Sequence, residues 1–335
     1  MGLKYRGEID GLRAVAVLPV ILFHAGFGLF GGGYVGVDVF FVISGYLITT
    51  ILLSELQAGS FTLVGFYERR ARRILPALFV VMLATLPFAW RWLAPGEMLR
   101  FCNSLIGVSL FASNIVFWRE SGYFDTATEL KPLLHTWSLA VEEQYYLFFP
   151  LLLMAAWRLG RRRIAVMLAV LLAASLVVAE WGLRRDPTAA YYLLPTRGWE
   201  LLIGALAALV LSARAGEGGA LVPPRVWMGQ VASLAGFGAI AASVFLFDRS
   251  TPFPGLYALL PTVGTALVIL FATPQTSVGA ILGSRFFVGV GMLSYSAYLW
   301  HQPLLAFARV RAIGAPSHGL MAALAVASVG LAYLS

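Results

Sequence analysis

The chain alternates between long apolar stretches and short polar connections, many of them basic, over its whole length. A helix that spans a bilayer needs about 20 predominantly apolar residues, and Pro or Gly within it is tolerated. The pattern therefore predicts an all-α fold, a polytopic transmembrane helical bundle of about 10–11 spans that forms one integral membrane domain over residues 1–335. The eleven candidate spans are 9–29, 34–53, 74–93, 100–118, 137–157, 164–183, 197–213, 227–247, 256–273, 285–308 and 319–335.

Composition supports a lipid environment. Apolar residues make up 60% of the chain and charged residues only 12%, whereas soluble domains carry about 25% charged residues. The net charge of +8 lies in short basic clusters between apolar stretches, which is typical of topology anchors and argues against nucleic-acid binding. The single cysteine, Cys102, excludes an intrachain disulfide, and the four histidines show no zinc-site spacing, so we expect no metal.

The basic residues also predict an orientation. Lys4 and Arg6 place the N-terminus in the cytoplasm, and the polar Asp10 and Arg13 favour a retained first span over a cleaved signal peptide. The basic loop at 69–73 is then cytoplasmic as well. If all eleven segments cross, however, the basic residues at 158–163 fall outside, so either one segment is re-entrant or the rule is violated.

Two glycine-rich stretches indicate turns. The run Gly31–Gly36 lacks the preceding strand and following Gly-Lys-Ser/Thr of a phosphate-binding loop, so it predicts a tight helical hairpin. Segment 214–226 is the most loop-like part of the chain.

Ionisable residues inside spans are costly and often mark function. Arg13 and His24 lie eleven residues apart, which puts them within about 20° of one helical face and about 16 Å apart along the axis. The alternative is that Arg13 snorkels to headgroups and His24 only packs. Asp38, in the next span, could orient His24 or form a structural pair with an arginine.

Four arginines, Arg69, Arg70, Arg72 and Arg73, form a dense basic loop. The guanidinium fork suits phosphate, so a phosphate-rich ligand such as a coenzyme A ester fits this loop. Plain topology anchoring is the alternative.

The fifth candidate span opens with polar residues. Ser138 and Glu142 share a face at i,i+4, whereas the adjacent Glu142 and Glu143 point about 100° apart, so only one of them is expected to face any one cavity. Arg197 and Glu200 are spaced to pair locally.

Tyr295, Tyr298 and His301 recur every three residues in the tenth candidate span. They could line the same cavity, or form an ordinary packing stripe.

Taken in order, five motifs resemble the acyltransferase-3 family of membrane O-acyltransferases, in particular bacterial members that O-acetylate surface glycans such as lipopolysaccharide O-antigen. The motifs are Arg13-x10-His24, Gly36-Val37-Asp38-x-Phe40-Phe41-x-x-Ser44-Gly45, Arg69-Arg70-x-Arg72-Arg73-Ile74, Trp137-Ser138-Leu139-x-Val141-Glu142-x-Gln144 and Ser294-Tyr295-x-x-Tyr298-Leu299-x-His301.

The resemblance implies an acyl donor taken from cytosolic acyl-CoA, usually acetyl-CoA, and an acceptor hydroxyl on a glycan outside the bacterial inner membrane. It implies that His24 is the leading catalytic residue, that Arg13 supports the donor, and that the 69–73 cluster receives the CoA phosphates. Glu142 or Glu143 is a second catalytic or orienting carboxylate. Members often continue into an extracytoplasmic SGNH hydrolase-like domain, so we expect this chain to be truncated before one and to need it for the acceptor rather than the donor.

A proton-coupled transporter is the alternative reading, because buried charges in a many-span bundle also occur in carriers. The chain shows no inverted repeat, which favours the enzyme. A catalytically silent subunit of a glycan-assembly complex is disfavoured by the intact ionisable motifs.

Overall fold

A computed structural model describes residues 5–121, 127–216 and 226–335, apart from the side chains of 215 and 216. These ranges contain helices and turns and no strand, which confirms the predicted all-α class. The α-helices are α1 Gly7–His24, α2 Gly36–Gln57, α3 Leu63–Trp92, α4 Pro95–Ser109, α5 Ser113–Glu120, α6 Thr136–Ala156, α7 Arg161–Arg185, α8 Pro187–Tyr192, α9 Leu194–Gly216, α10 Val226–Leu246, α11 Leu259–Phe271, α12 Ser277–Leu282, α13 Arg285–Arg311 and α14 His318–Leu334.

The fold is a helical membrane bundle. In the described ranges, five helical stretches are long and apolar enough to cross a membrane, and two shorter apolar helices accompany them. Helices α1, α6 and α13 are comparable in length to these five stretches, but they carry many polar side chains of the candidate active site described below. The five long stretches are Gly33–Gln57, Leu63–Trp92, Arg161–Arg185, Pro187–Arg214 and Val226–Leu246, and the shorter ones are Leu256–Phe271 and His318–Leu334.

The prediction of a single span at 100–118 is wrong. Helix α4 ends at Ser109, Phe111 adopts a positive φ of 50°, and α5 begins at Ser113. The amide nitrogen of Gln144 donates to the Phe111 carbonyl at 2.9 Å. A break at membrane depth is tolerated where such a partner replaces the missing helical hydrogen bonds.

This break resolves the conflict in the positive-inside pattern. The Tyr67 hydroxyl donates to the Leu147 carbonyl at 3.0 Å, and Arg70 pairs with Glu143 at 3.2 Å, so α3 and α6 run antiparallel. The start of α3 and the end of α6 therefore lie at the same end of the bundle, and the basic residues 158–163 follow α6 there. We call this the Arg-rich end.

One predicted loop is helical, and the other lies mostly outside the described ranges. The basic run at 69–73 belongs to the first turns of α3 and is helical, because α3 already begins at Leu63, capped by Thr62. The stretch 214–226 starts as the last turn of α9, and residues 217–225, like Lys4, lie outside the described ranges.

Glycines allow the central helices to approach closely. A Cβ atom at Gly45 or Gly204 would lie within about 2 Å of a carbonyl oxygen of the partner helix, which ties α2 to α9. Gly33 and Gly36 pack in the same way against α1 and form the tight hairpin that the sequence predicts. Small residues at interfaces allow this backbone contact in membrane bundles.

Candidate active site

Two cavities lie in tandem between α1, α2, α6 and α13. The first has a volume of about 120 Å³ and extends toward the Arg-rich end; we call it the arginine cavity, after Arg13, Arg70 and Arg73 in its wall. The second has a volume of about 480 Å³ and lies toward the opposite end; we call it the histidine cavity, after His24 and His135.

One face of α2 builds a wall of the arginine cavity. Its residues repeat at the three- and four-residue spacing of a helical stripe from Val37 to Ile51, which lie 14 positions or about 21 Å apart along the helix. The stripe is apolar except for Ser44, which contacts the Tyr146 hydroxyl. The cavity is thus a narrow apolar slot with charge concentrated near the Arg-rich end. The stripe comprises Val37, Phe40, Phe41, Ser44, Leu47, Ile48 and Ile51.

The predicted arginine cluster divides into two pairs because it is helical. Arg70 and Arg73, three residues apart, face the cavity. Arg69 pairs with Glu55 at 2.6 Å, and Arg72 pairs with its helix neighbour Glu68 at 2.6 Å. The side chains of Arg69 and Arg72 are 56% and 79% exposed, so they lie at the surface of the Arg-rich end.

The two adjacent glutamates separate as their 100° offset predicts. Glu142 lines the arginine cavity together with Ser138 and Arg13. Glu143 lies in a groove between α3, α6 and the α4–α5 break, where it pairs with Arg70 at 3.2 Å. Arg13 also pairs with Asp10, at 3.3 Å.

His24 is oriented by its own helix. Its Nδ1 lies 2.9 Å from the Val20 carbonyl, and a carbonyl can only accept a hydrogen bond. This contact assigns the proton of the neutral ring to Nδ1 and leaves Nε2 with a free lone pair. The Val20 carbonyl, and not Asp38, therefore orients the His24 ring, so the first of the two alternatives for Asp38 is wrong.

Asp38 instead takes the structural role that the sequence left open. Its carboxylate accepts a hydrogen bond from Arg197 at 2.9 Å, and Arg197 also lies 3.3 Å from Glu200, the local pair expected from their spacing. All three side chains are buried, and four aromatic rings surround the guanidinium. These rings belong to Phe41, Trp137, Tyr191 and Phe253.

The tenth-span stripe divides between the cavities. Tyr295 lines the arginine cavity and donates from its hydroxyl to the Ile74 carbonyl at 3.0 Å. Tyr298 and Val37 belong to the walls of both cavities. The Tyr298 hydroxyl donates to the His135 carbonyl at 2.9 Å and lies 2.8 Å from the Ser138 hydroxyl. His301 is buried behind the cavities.

A further histidine, His135, lies two residues before the motif that begins at Trp137, and the sequence analysis assigned it no role. His135 lines the histidine cavity, and among the described residues neither of its ring nitrogens makes a hydrogen bond. The ring of His301 packs between those of His24 and His135, at centroid distances of 5.1 and 5.4 Å. In the described part of the chain no group of three or more His, Cys, Asp or Glu side chains is placed to hold a metal ion.

Aromatic side chains dominate the rest of the histidine cavity, and a small charged group lies near its rim. Glu129 pairs with Arg249 and lies 3.5 Å from Arg309, which donates in turn to the His24 carbonyl. None of these three residues carries a local sequence signal, because they come from separate loops and helix ends. The aromatic residues are Phe23, Tyr34, Trp137, Tyr191, Tyr192, Phe253 and Tyr298.

Comparison with known proteins identifies the family. The peptidoglycan O-acetyltransferase OatA of Listeria monocytogenes is 32% identical over 320 residues, which cover 90% of this chain and 50% of OatA. The Bacillus subtilis protein YrhL, named as a candidate peptidoglycan O-acetyltransferase, is 33% identical over 323 residues, or 93% of this chain and 51% of YrhL. The chain thus spans about half the length of the curated relatives it matches, and no solved structure matches it. A profile of the acyltransferase domain matches residues 6–335, and the chain therefore belongs to the acyltransferase-3 family.

Proposed function

We propose that this chain forms the membrane-embedded part of an O-acetyltransferase that moves an acetyl group from acetyl-CoA to a hydroxyl of a surface glycan. The observation that carries the proposal is the tandem arrangement of the two cavities, which share Val37 and Tyr298 and have arginines on one side and His24 on the other. A donor and an acceptor can thereby approach the same point from opposite ends. In this proposal the Arg-rich end is cytoplasmic, in the inner membrane of a bacterium, as the positive-inside rule prefers.

The donor enters the arginine cavity with its thioester first. The arginine cavity has a volume of about 120 Å³, a quarter of that of the histidine cavity, and in this proposal it holds the acyl end of acetyl-CoA and not its nucleotide. Arg70 and Arg73 then meet the phosphates near the entrance, where their planar forks bind anionic oxygens. Arg69 and Arg72 contribute positive potential at the surface.

The acceptor occupies the histidine cavity. Its aromatic walls and few polar groups suit a sugar ring, which presents apolar C–H faces and polar edges. The sequence motifs indicated the lipopolysaccharide O-antigen subgroup as a model for the acceptor, whereas the relatives OatA and YrhL are named for peptidoglycan. We therefore propose a cell-wall glycan of the peptidoglycan type as the acceptor.

His24 acts as general base in this proposal. Its Nε2 takes the proton of the glycan hydroxyl, the hydroxyl oxygen attacks the carbonyl carbon of the thioester, and the C–S bond breaks. The sulfur leaves as the CoA thiolate on the arginine-cavity side of the boundary. An imidazole whose ordinary pKa is about 6.5 suits this task near neutral pH.

The test combines biochemistry with analysis of the cell surface. Purified protein should release free CoA from labelled acetyl-CoA in the presence of a glycan acceptor, and the His24→Gln variant should not. Mass spectrometry of peptidoglycan and of lipopolysaccharide, with and without the gene, should show a loss of acetyl-sized mass in peptidoglycan. Loss from lipopolysaccharide alone would move the acceptor back to the O-antigen. Uptake of a solute without acetyl-CoA turnover would instead support a transporter.

A further inference from the structure

The boundary between the two cavities is formed by side chains that could select the acyl group. Val37 on α2 and Tyr298 on α13 are the residues that belong to both cavity walls. Phe40 lies one helical turn below Val37 on the same stripe, with its ring centroid 6.3 Å from that of Tyr298. We call Val37, Phe40 and Tyr298 the neck.

We propose that the neck restricts the transferred group to a short acyl chain, and that Val37 sets the limit. This inference rests on the proposed function. For transfer to occur, the carbonyl carbon of the donor has to come within reach of an acceptor hydroxyl in the histidine cavity. The alkyl part of the acyl group must then lie against the neck, where each additional methylene needs space that Val37 and Phe40 now occupy.

The neck is held rigidly, so it can discriminate. The Tyr298 side chain is fixed through its hydroxyl by the His135 carbonyl and Ser138, and its ring packs against those of His135 and His301. Val37 is 6% exposed, and its neighbour in the chain, Asp38, is tied to α9 by Arg197. Both sides of the neck are therefore anchored to other helices.

The matched pair of variants is Val37→Ala and Val39→Ala. Val39 is fully buried on the same helix, but it belongs to a separate hydrophobic core cluster from Val37 and lines neither cavity. Both variants lose the same two methyl groups from a buried position of α2. A difference in acyl selectivity between them therefore reports on the neck, whereas a shared loss of activity reports on packing.

The measurement is the rate of transfer to a glycan acceptor from acetyl-CoA, propionyl-CoA and butyryl-CoA. One methylene in an apolar pocket changes rates by about 10- to 200-fold. Val37→Ala should raise the butyryl-to-acetyl rate ratio at least about tenfold, and Val39→Ala should leave it unchanged. In the opposite direction, Val37→Ile should lower acetyl transfer while acetyl-CoA still binds.

An unchanged butyryl-to-acetyl rate ratio in an active Val37→Ala protein would refute the proposed role of the neck and leave the O-acetyltransferase function intact. A full-length wild-type protein that transfers no acyl group would overturn both. If Val37→Ala does not accumulate in cells, two other variants provide the test. Phe40→Leu should widen the neck and raise the butyryl-to-acetyl rate ratio, whereas Val37→Ile should narrow the neck and lower acetyl transfer. Equal rate ratios in these two variants would again reject the proposal.

Discussion

Replacing His24 by glutamine is the sharpest test of the mechanism. The structure gives the two ring nitrogens different roles, since Nδ1 donates to the Val20 carbonyl and Nε2 is the nitrogen that can accept a proton. Glutamine has a similar size and can form hydrogen bonds, but it has no basic nitrogen. Loss of a general base slows a reaction by about 100- to 10,000-fold, and the lower figure corresponds to about 2.7 kcal/mol.

Loss of stability cannot produce an effect of that size. The hydrogen bond between His24 and Val20 contributes about 1 kcal/mol to stability, as a typical intramolecular hydrogen bond does. A native protein with about 5–15 kcal/mol of stability remains almost completely folded after such a loss. A 100-fold fall in rate in a variant that purifies normally is therefore caused by loss of the catalytic group and not by unfolding.

The assay is CoA release and glycan acetylation by purified protein, with donor binding measured in parallel by calorimetry. His318→Gln is the matched control, because His318 is an exposed histidine at the start of α14 that lines neither cavity. We expect His24→Gln to bind acetyl-CoA normally and to lose transfer, and His318→Gln to keep both. A His24→Gln protein with transfer near that of the wild type would remove His24 from the mechanism and direct attention to Glu142, Glu143 or His301.

Two further predictions follow from the charged side chains. Changing Arg70 and Arg73 together to Ala should weaken acetyl-CoA binding at least about tenfold, because both side chains line the arginine cavity. The same change at Arg69 and Arg72, which pair with glutamates at the surface and do not line the cavity, should have a much smaller effect, and equal losses by calorimetry would show that the cluster acts only through its total charge. Arg197→Met should destabilise the protein by about 3–5 kcal/mol, since it leaves two buried carboxylates without their cation, and an unchanged thermal unfolding temperature in detergent would contradict this role.

The sequence predicted those features that depend on local periodicity. Ten of the eleven candidate spans have a helix at their position, because apolar length and helical spacing are properties of consecutive residues. The separation of Glu142 and Glu143 into two different cavities followed from their 100° offset on the helix. The predicted span began at residue 74, eleven residues after the observed start of α3 at Leu63. The basic residues 69–73 suggested a loop, whereas the chain forms helix there.

Features that depend on contacts between distant residues could not be predicted in this way. The break at Phe111 lies in an apolar run without Pro or Gly between Ser109 and Ser113, and its partner, Gln144, is more than 30 residues away. The pairing of Asp38 with Arg197 likewise joins positions 159 residues apart, so sequence spacing could offer it only as one alternative. His135 looked unremarkable until the fold brought it beside His301.

The arrangement of the neck addresses a problem particular to transfer across a membrane. A continuous polar channel between an arginine-lined cavity and an opposite-facing cavity would let ions and water pass. In the proposed function only the acyl group has to cross the boundary, so the opening can be as narrow as that group. Tyr298, held by Ser138 and the His135 carbonyl, and Val37, next to the anchored Asp38, provide such a boundary. The side chains that separate the two cavities are then also the ones that limit the length of the acyl chain. A smaller residue at position 37 should therefore both relax the selectivity for short acyl groups and increase the leak of water and ions between the cavities.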